Sequence, residues 1–243
     1  MTVTELSHAM QTAQPSQTHL THKDNLLDRL FIWLFSRKMA NAIDTDIPSS
    51  GYSGFVELSE QIMQGRNGQQ QQAVVARVLQ SLVPAPVLWL IRTLFSPTKL
   101  VCVLNAWFAA QMFEWLVGPC EVASAEVSDG EGGVRSQASA VQIQECRYLK
   151  ESQCVGMCVN MCKLPTQTFF TEKFGIPLSM TPNFEDLSCT MIFGQPPLAP
   201  ELDEAFSESC LEECSSGQPN VSACPKLANA SNSKVNNDTL LDS

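Results

Sequence analysis

The most distinctive stretch of the chain covers residues 146–167 and reads CRYLKESQCVGMCVNMCKLPTQ. Within it Cys154, Cys158 and Cys162 recur every four residues, and on an α-helix this spacing places side chains along one slowly turning stripe. It predicts a thiol-lined helix from about 154 to 163. On a straight helix Cys154 and Cys162 would lie ~12 Å apart along the axis, whereas two sulfurs on one ion are at most ~4.6 Å apart. One mononuclear metal site could take a neighbouring pair from such a helix but not all three thiols.

Three interpretations of these thiols stay open from the spacing alone. They are small apolar side chains on a helix that faces the core, ligands of a metal ion or iron–sulfur cluster, or redox and nucleophilic groups. The three histidines of the chain all precede residue 23. A metal held by the folded body must therefore use Cys, Asp, Glu or backbone oxygen, and a Ser-His-Asp or Cys-His catalytic group is excluded from that body.

Upstream of this stretch the chain is apolar and helical. Hydrophobic periodicity, with Asp24 as the capping residue, predicts a helix over residues 25 to about 39, and further helices follow as far as Gly118. The longest uncharged runs within residues 78–117 have 14 residues, fewer than the ~20 that a bilayer span needs. We therefore expect buried or interfacial helices and no membrane span.

The chain changes character at Cys120. Two strands are predicted at residues 121–127 and 140–149, joined across a glycine-rich turn that permits positive φ. After the thiol helix come a second helix, a loop rich in Pro and Asn, and a short apolar segment at 187–193. These elements predict an α+β fold, with a mainly helical N-terminal part, then a β-hairpin or small antiparallel sheet with a Cys-rich helical segment.

The domain organisation follows from these shifts in composition. We expect a single domain over residues 24–214, flanked by polar segments with too few apolar residues to form a core. The whole chain then has four regions. They are a disordered head at 1–23, an apolar helical region at 24–118, a Cys-rich region of hairpin and helices at 119–214, and a disordered tail at 215–243.

Charge and cysteine content limit the function and the compartment. The 243 residues carry 15 Lys and Arg against 25 Asp and Glu, a formal net charge of −10, which disfavours a nucleic-acid partner. Residues 1–20 lack the basic start and apolar run of a secretory signal, so we expect neither export nor a transit peptide, and a cytoplasmic location. Ten cysteines in a reducing compartment are thiols or ligands rather than disulfides.

Glu114 is a candidate proton donor. It lies within the apolar run 111–116, a setting that would raise its pKa if the side chain were buried. An ion pair with Arg92, or an exposed position at a helix edge, is the simpler alternative.

The cysteine-rich stretch resembles the signature of the β-carotene isomerases, the dwarf-twenty-seven-type enzymes that open strigolactone synthesis in plants, together with their algal and cyanobacterial relatives. The resemblance covers roughly residues 50–214. Its strongest segments are residues 115–120, 146–149, 154–167, 169–170, 182–186 and 188–189, and its weaker ones are 52–57 and 92–95.

This resemblance implies an iron-dependent, reversible isomerisation between the all-trans and 9-cis forms of a C40 carotenoid such as β-carotene. It makes Cys154, Cys158, Cys162 and Cys189 candidate ligands of iron, present as Fe²⁺ or as an iron–sulfur cluster. Rotation about a polyene double bond requires its π bond to be weakened, and iron, proton donation by Glu114, or reversible addition of a thiolate could each do so. The alternatives are a carotenoid-binding protein without catalysis and a small iron–sulfur electron carrier.

A carotenoid substrate dissolves in lipid, so peripheral membrane association is also expected. The thylakoid surface fits a cyanobacterial cytoplasm, or a plastid if the source is eukaryotic. The helix at 25–39 carries Phe31, Trp33 and Phe35 and could lie in the membrane interface, while packing of these rings in the core is the equally weighted alternative.

Overall fold

A computed structural model describes residues 23–94, 98–128, 133–211, 214 and 224–227. Residues 1–22 of the expected head, and 215–223 and 228–243 of the expected tail, lie outside this part of the chain. The first half is helical, as predicted. Its elements are α1 (Leu26–Ile43), α2 (Gly51–Met63), α3 (Gly68–Leu82), α4 (Ala85–Leu94), α5 (Lys99–Met112) and the single turn α6 (Glu114–Val117).

The cap of α1 lies one residue after the predicted one. The side chain of Asn25 accepts hydrogen bonds from the backbone N–H groups of Leu27 and Asp28, and the Asp28 carboxylate accepts one from the N–H of Asn25. This reciprocal pair is a capping box. Asp24 instead forms an ion pair with Arg147, at 2.5 Å between carboxylate and guanidinium, and so ties the start of α1 to the second half of the chain.

Four strands form one antiparallel sheet in the order β1-β2-β4-β3. They are β1 (Cys120–Ser128), β2 (Val134–Ile143), β3 (Leu178–Pro182) and β4 (Cys189–Phe193). The predicted hairpin is confirmed as the β1–β2 pair. The predicted second strand was placed too late, because residues 147–149 belong to the helix α7 (Arg147–Ser152). The β3 strand was not predicted, since Pro177 and Pro182 at its two ends favour a loop.

The predicted thiol helix and the helix after it form one continuous helical run over residues 155–174. It passes through α8 (Val155–Met157), a π-helical turn (Cys158–Lys163), α9 (Leu164–Thr168) and a second π-helical turn (Phe169–Phe174). Pro165 lies inside this run. Proline lacks an N–H and crowds the preceding turn of an α-helix, so the wider π-helical turn before it accommodates the ring.

The helical part and the sheet share one hydrophobic core. Trp115 of α6 is 2% exposed and its ring lies within 6.2 Å of the rings of Phe31, Phe35 and Phe55 from α1 and α2. The helix α5 packs against β2 and also contacts β1 and β4. One buried cluster therefore contains members from both parts, and the α+β fold is confirmed.

Residues 224–227, within the expected tail, pack against the helical run. Cys224 and Leu227 are buried, at 1% and 2% exposure, against α8. Gly156 permits this approach, because a Cβ atom there would lie 2.8 Å from the Cβ of Lys226. This segment is thus part of the folded body.

Among the described helices, none is long and apolar enough by itself to span a bilayer. The pair α3 and α4 meets that criterion of length and composition only when taken together, across a bend of 84°.

Candidate functional site

Four thiols meet at one end of the sheet. Cys146 follows β2 and precedes α7, and its backbone N–H donates to the carbonyl of Leu187 at 2.7 Å. Cys189 begins β4, which pairs with β2 and so lies beside it. Together with Cys158 and Cys162 from the first π-helical turn, these residues line a small cavity of about 10 Å³. We call Cys146, Cys158, Cys162 and Cys189 the sheet-end thiols.

The π-helical turn explains why two of these thiols point the same way. Its hydrogen bonds join residues five apart, so residues four apart lie close to one full turn from each other. Cys158 and Cys162 begin and nearly end this turn, and both reach the cavity. Cys154 precedes the helix in an extended conformation, with φ −136° and ψ 110°, so the helical spacing assumed in the sequence does not apply to it.

Burial controls the protonation of the sheet-end thiols. It raises the pKa of Cys158 well above its usual value, the neighbouring thiols raise it further, and only Lys163 opposes them. Burial likewise raises the pKa of Cys162 to about 12, and burial and the neighbouring thiols raise that of Cys189. Desolvation disfavours a thiolate, so these sulfurs are thiols near neutral pH.

A buried ion pair adjoins these thiols. Lys163 lines the same cavity and is 3% exposed, and its ammonium lies 2.5 Å from the carboxylate of Asp203, whose side chain is 7% exposed. Asp203 also accepts a hydrogen bond from the backbone N–H of Ala205. Sequence reasoning missed this pair, since nothing in the pattern around Asp203 marks it as the partner of a lysine 40 residues earlier.

Cys154 belongs to a different group. Its pKa is raised to about 11, chiefly by burial and to a lesser extent by the nearby thiols Cys214 and Cys224, against the backbone N–H of Met157 and the charge of Lys226, which lower it. Cys210 completes the group: burial raises its pKa to about 12, as do hydrogen-bond contacts with Cys224 and Cys214. All ten cysteines lie in the described part of the chain and are free thiols. Cys154 thus lies outside the cavity that Cys158, Cys162 and Cys189 line, although it acts on the pKa of Tyr148 together with Cys158 and Cys162.

The fit of these residues to a metal ion follows from their geometry. Thiols are donors that iron accepts, and both groups contain several. Among the described residues, however, no three Cys, His, Asp or Glu side chains converge closely enough to hold an ion. The iron ligand set of Cys154, Cys158, Cys162 and Cys189 stays a prediction.

An apolar cavity adjoins the sheet-end thiols. Its walls come from α1, α2 and α3 and from Phe113 and Leu116, and its floor contains Tyr148, Met161 and Cys162. Tyr148 and Cys162 also line the thiol cavity. A ligand in the apolar cavity would therefore contact a thiol and a phenol directly.

Tyr148 is a site residue that sequence reasoning missed. It is 3% exposed, and burial raises its pKa well above the ordinary value while a hydrogen bond with Ser59 lowers it. The phenol is therefore neutral at any physiological pH. The sequence gives little indication of this role, since all that marks Tyr148 is its position two residues after Cys146 in the cysteine-rich stretch.

Glu114, the predicted proton donor, lies at the start of α6 and is half-buried. Its neighbour Phe113 lines the apolar cavity, whereas Glu114 lines neither that cavity nor the thiol cavity. Its charge acts on Cys120, whose pKa is raised to about 11 by burial and further by Glu114. Proton donation by Glu114 stays a prediction.

A larger groove of about 650 Å³ runs between α1 and the segment before α2. Trp33 and Ile47 contribute apolar surface to it, and the buried hydroxyl of Ser36 has no hydrogen-bond partner among the described residues. None of the predicted site residues lines this groove.

The fold and the site together define a class of protein. It is an α+β protein with two groups of thiols, one of which lies beside an apolar cavity. The β-carotene isomerase D27-like C-terminal family matches residues 115–202. The chain is 37% identical over 203 residues to β-carotene isomerase D27, chloroplastic, of Medicago truncatula, covering 84% of this chain and 79% of that protein. It is 33% identical over 219 residues to the protein of the same name from Arabidopsis thaliana, covering 88% and 81%.

The chain belongs to the β-carotene isomerase D27-like family. No solved structure matches it. The family match begins at Trp115 and ends at Leu202, so it includes the four sheet-end thiols and Tyr148 and stops just before Asp203.

Proposed function

We propose that this protein is a carotenoid isomerase that interconverts the all-trans and 9-cis forms of β-carotene or a close relative. The observation that carries the proposal is its identity of 37% and 33%, over about four-fifths of their length, to two proteins named β-carotene isomerase. The apolar cavity that shares Tyr148 and Cys162 with the thiol group supports it. Such a surface suits a hydrocarbon and offers a few polar atoms at one place.

The residues of the apolar cavity hold and shield the polyene. Phe35, Phe55 and Phe113 supply aromatic surface, which binds a conjugated chain by dispersion and stacking. The neutral phenol of Tyr148 and the neutral thiol of Cys162 face the same space. Both groups can donate a weak hydrogen bond to the π system of a bound polyene, and they do so without placing a full charge in an apolar site.

The cavity must open to admit this substrate. Its volume is about 60 Å³, room for a few water molecules and far too little for a C40 chain. The floor of the cavity lies on the helical run and on α7. We propose that the helices α1 and α3 move away from this floor to enlarge the cavity.

The proposal is tested by incubating the protein with all-trans-β-carotene in detergent and separating the isomers by HPLC. We expect 9-cis-β-carotene to accumulate until the two isomers reach equilibrium, and the same ratio when the reaction starts from the 9-cis form. Tyr148→Phe keeps the packing and removes the hydroxyl, so we expect slower turnover with carotenoid binding retained. Unchanged isomer ratios with folded wild-type protein would rule out the isomerase.

Iron dependence belongs to the same proposal, with ligands drawn from the candidate cysteines. Removal of iron by a chelator should abolish turnover and addition of Fe²⁺ should restore it. The metal content of the preparation is measured by plasma mass spectrometry. Full activity in a preparation free of metal would exclude an iron requirement and leave thiolate addition and proton donation as the remaining mechanisms.

The same assay separates the two alternative functions. A carotenoid-binding protein would retain the pigment through gel filtration without changing its isomer composition. An iron–sulfur carrier would show charge-transfer absorption in the visible range and no retained carotenoid.

The cellular setting is part of the proposal as well. Both relatives are named chloroplastic, and carotenoids partition into lipid, so we place the protein at the surface of a photosynthetic membrane, in a cytoplasm or a plastid. A nucleic-acid partner remains disfavoured by the net charge of −10.

A further inference from the structure

The helix α5 has its large apolar side chains on the outside. Its buried side consists of small residues, with Ala106, Ala109 and Ala110 at 0–2% exposure. Leu100, Leu104, Trp107 and Phe108 follow the i, i+4, i+7, i+8 spacing of one helix face. All four are exposed, at 66%, 51%, 60% and 51%. An exposed apolar surface of this kind is typical of an interaction site.

The helix α4 also exposes large apolar side chains. No residue of α4 is buried over 85–93, and Val87, Trp89 and Leu90 are 42%, 68% and 48% exposed. The end of α4 and the start of α5 are five residues apart, so they lie within ~18 Å of each other. We call the seven exposed side chains of these two helices the α4–α5 apolar face.

Charge indicates what this face contacts. Residues 61–113 contain no Asp or Glu and four cations, in a chain whose net charge is −10. Two of these cations, Arg92 and Lys99, lie on α4 and at the first residue of α5, and both are exposed. The guanidinium of Arg92 also donates to the backbone carbonyl of Glu172 at 3.0 Å, which holds it at one end of the face.

We propose that the α4–α5 apolar face is a membrane-docking surface that inserts into the interface of a bilayer containing anionic lipid. Exposed Trp, Leu and Phe next to cations are the composition of interfacial helices, which bury their apolar side ~5–10 Å into the headgroup boundary. A second copy of the chain fits less well, because neither helix carries a carboxylate and a symmetric contact between two such faces would bring their cations together. The choice of lipid rests on the proposed function, since a C40 hydrocarbon is supplied from a bilayer.

This surface differs from the interface expected at α1. Phe31 and Phe35 turn inward onto Trp115, so of the three predicted rings only Trp33 is exposed, at 51%. The α1 helix also carries Asp28 and three cations, Arg29, Arg37 and Lys38, among its apolar residues, and thus lacks an uncharged length comparable to α5.

The experiment is flotation of the full chain with vesicles of phosphatidylcholine, with and without 30 mol% phosphatidylglycerol. We expect the double variant Leu104→Glu and Phe108→Glu to lower the vesicle partition coefficient by about tenfold or more. Lys99→Gln should lower it about fivefold on anionic vesicles, and not on neutral ones or at 1 M salt. Leu202→Glu, at a site 71% exposed outside the face, and Leu30→Glu on α1 are matched controls that should bind like the wild type.

Other occupants give different results. The proposal would be overturned in favour of a second copy if the wild-type protein bound neither kind of vesicle and sedimented as a dimer while the double variant was monomeric. Equal losses for Leu30→Glu and the double variant would overturn the assignment to α4 and α5. Isomerisation of detergent-solubilised carotenoid is measured in parallel. If neither the wild type nor any variant isomerises it but vesicle binding changes as expected, the proposed isomerase activity is refuted and the docking surface is retained.

Discussion

The buried pair of Lys163 and Asp203 gives the sharpest test of how the thiol region is held together. The change is Asp203→Asn, which keeps an oxygen to cap the N–H of Ala205 but removes the charge. Both side chains are at most 7% exposed and 2.5 Å apart. Removing one partner of such a pair leaves an uncompensated buried charge and costs ~3–5 kcal/mol. For a chain of 243 residues this corresponds to a fall in Tm of ~6–20 °C.

The matched control is Glu145→Gln. Glu145 pairs with Lys150 at 2.9 Å, but both side chains are about one-third exposed, so we expect a loss below ~1 kcal/mol. Urea unfolding followed by circular dichroism measures both. Adding Lys163→Met to Asp203→Asn should recover part of the loss, because no unpaired ammonium then remains buried. Equal small losses for Asp203→Asn and Glu145→Gln would refute the view that this pair acts as a buried charge.

Two further predictions concern the contacts that hold residues 224–227 on the helical run. Gly156→Ala places a Cβ 2.8 Å from the Cβ of Lys226. We expect this overpacking to lower the free energy of unfolding by ~1–3 kcal/mol and to speed proteolysis near Lys226. A more stable protein would contradict this prediction, since Ala otherwise favours helix. Asn160→Ala removes donors to the Gln71 side chain and the Lys226 carbonyl at 3.0 and 3.1 Å, and should cost ~1–3 kcal/mol in urea unfolding, whereas an unchanged midpoint would mean that water replaces the amide.

The helical half could be predicted from the sequence because its signals are local. Periodicity and a capping residue located α1 to within a few residues and showed that the chain stays helical as far as Gly118. The cap was missed by one residue, since Asn25 caps α1 and Asp24 pairs with Arg147. The end was missed by four, since α1 runs to Ile43 rather than to about residue 39. The β3 strand depended instead on pairing with β4, a contact that no local pattern reports.

The candidate site was harder to predict, because it depends on contacts between distant parts of the chain. Cys189 reaches the thiol cavity through the pairing of β4 with β2, and Lys163 finds Asp203 across 40 residues. The resemblance supplied Cys189 as a candidate but not the strand pairing that brings it to the thiol cavity. Nothing in residues 146–167 distinguishes a straight helix from one with a π-helical turn at Cys158–Lys163.

Two local features place the thiols: the π-helical turn carries Cys158 and Cys162, and the extended backbone at Cys154 precedes the helix. Cys158 and Cys162 share the thiol cavity with Cys146 and Cys189, while Cys154 faces Cys214 and Cys224 across the start of α8. Gly156 cannot serve as a loose hinge that joins the two groups, because its missing side chain is the space that Lys226 occupies. A site built on the cavity side therefore finds its additional sulfur in Cys146 rather than in Cys154. Substitution by serine at each of these two positions then separates a thiol needed in the thiol cavity from one needed to hold residues 224–227 in place.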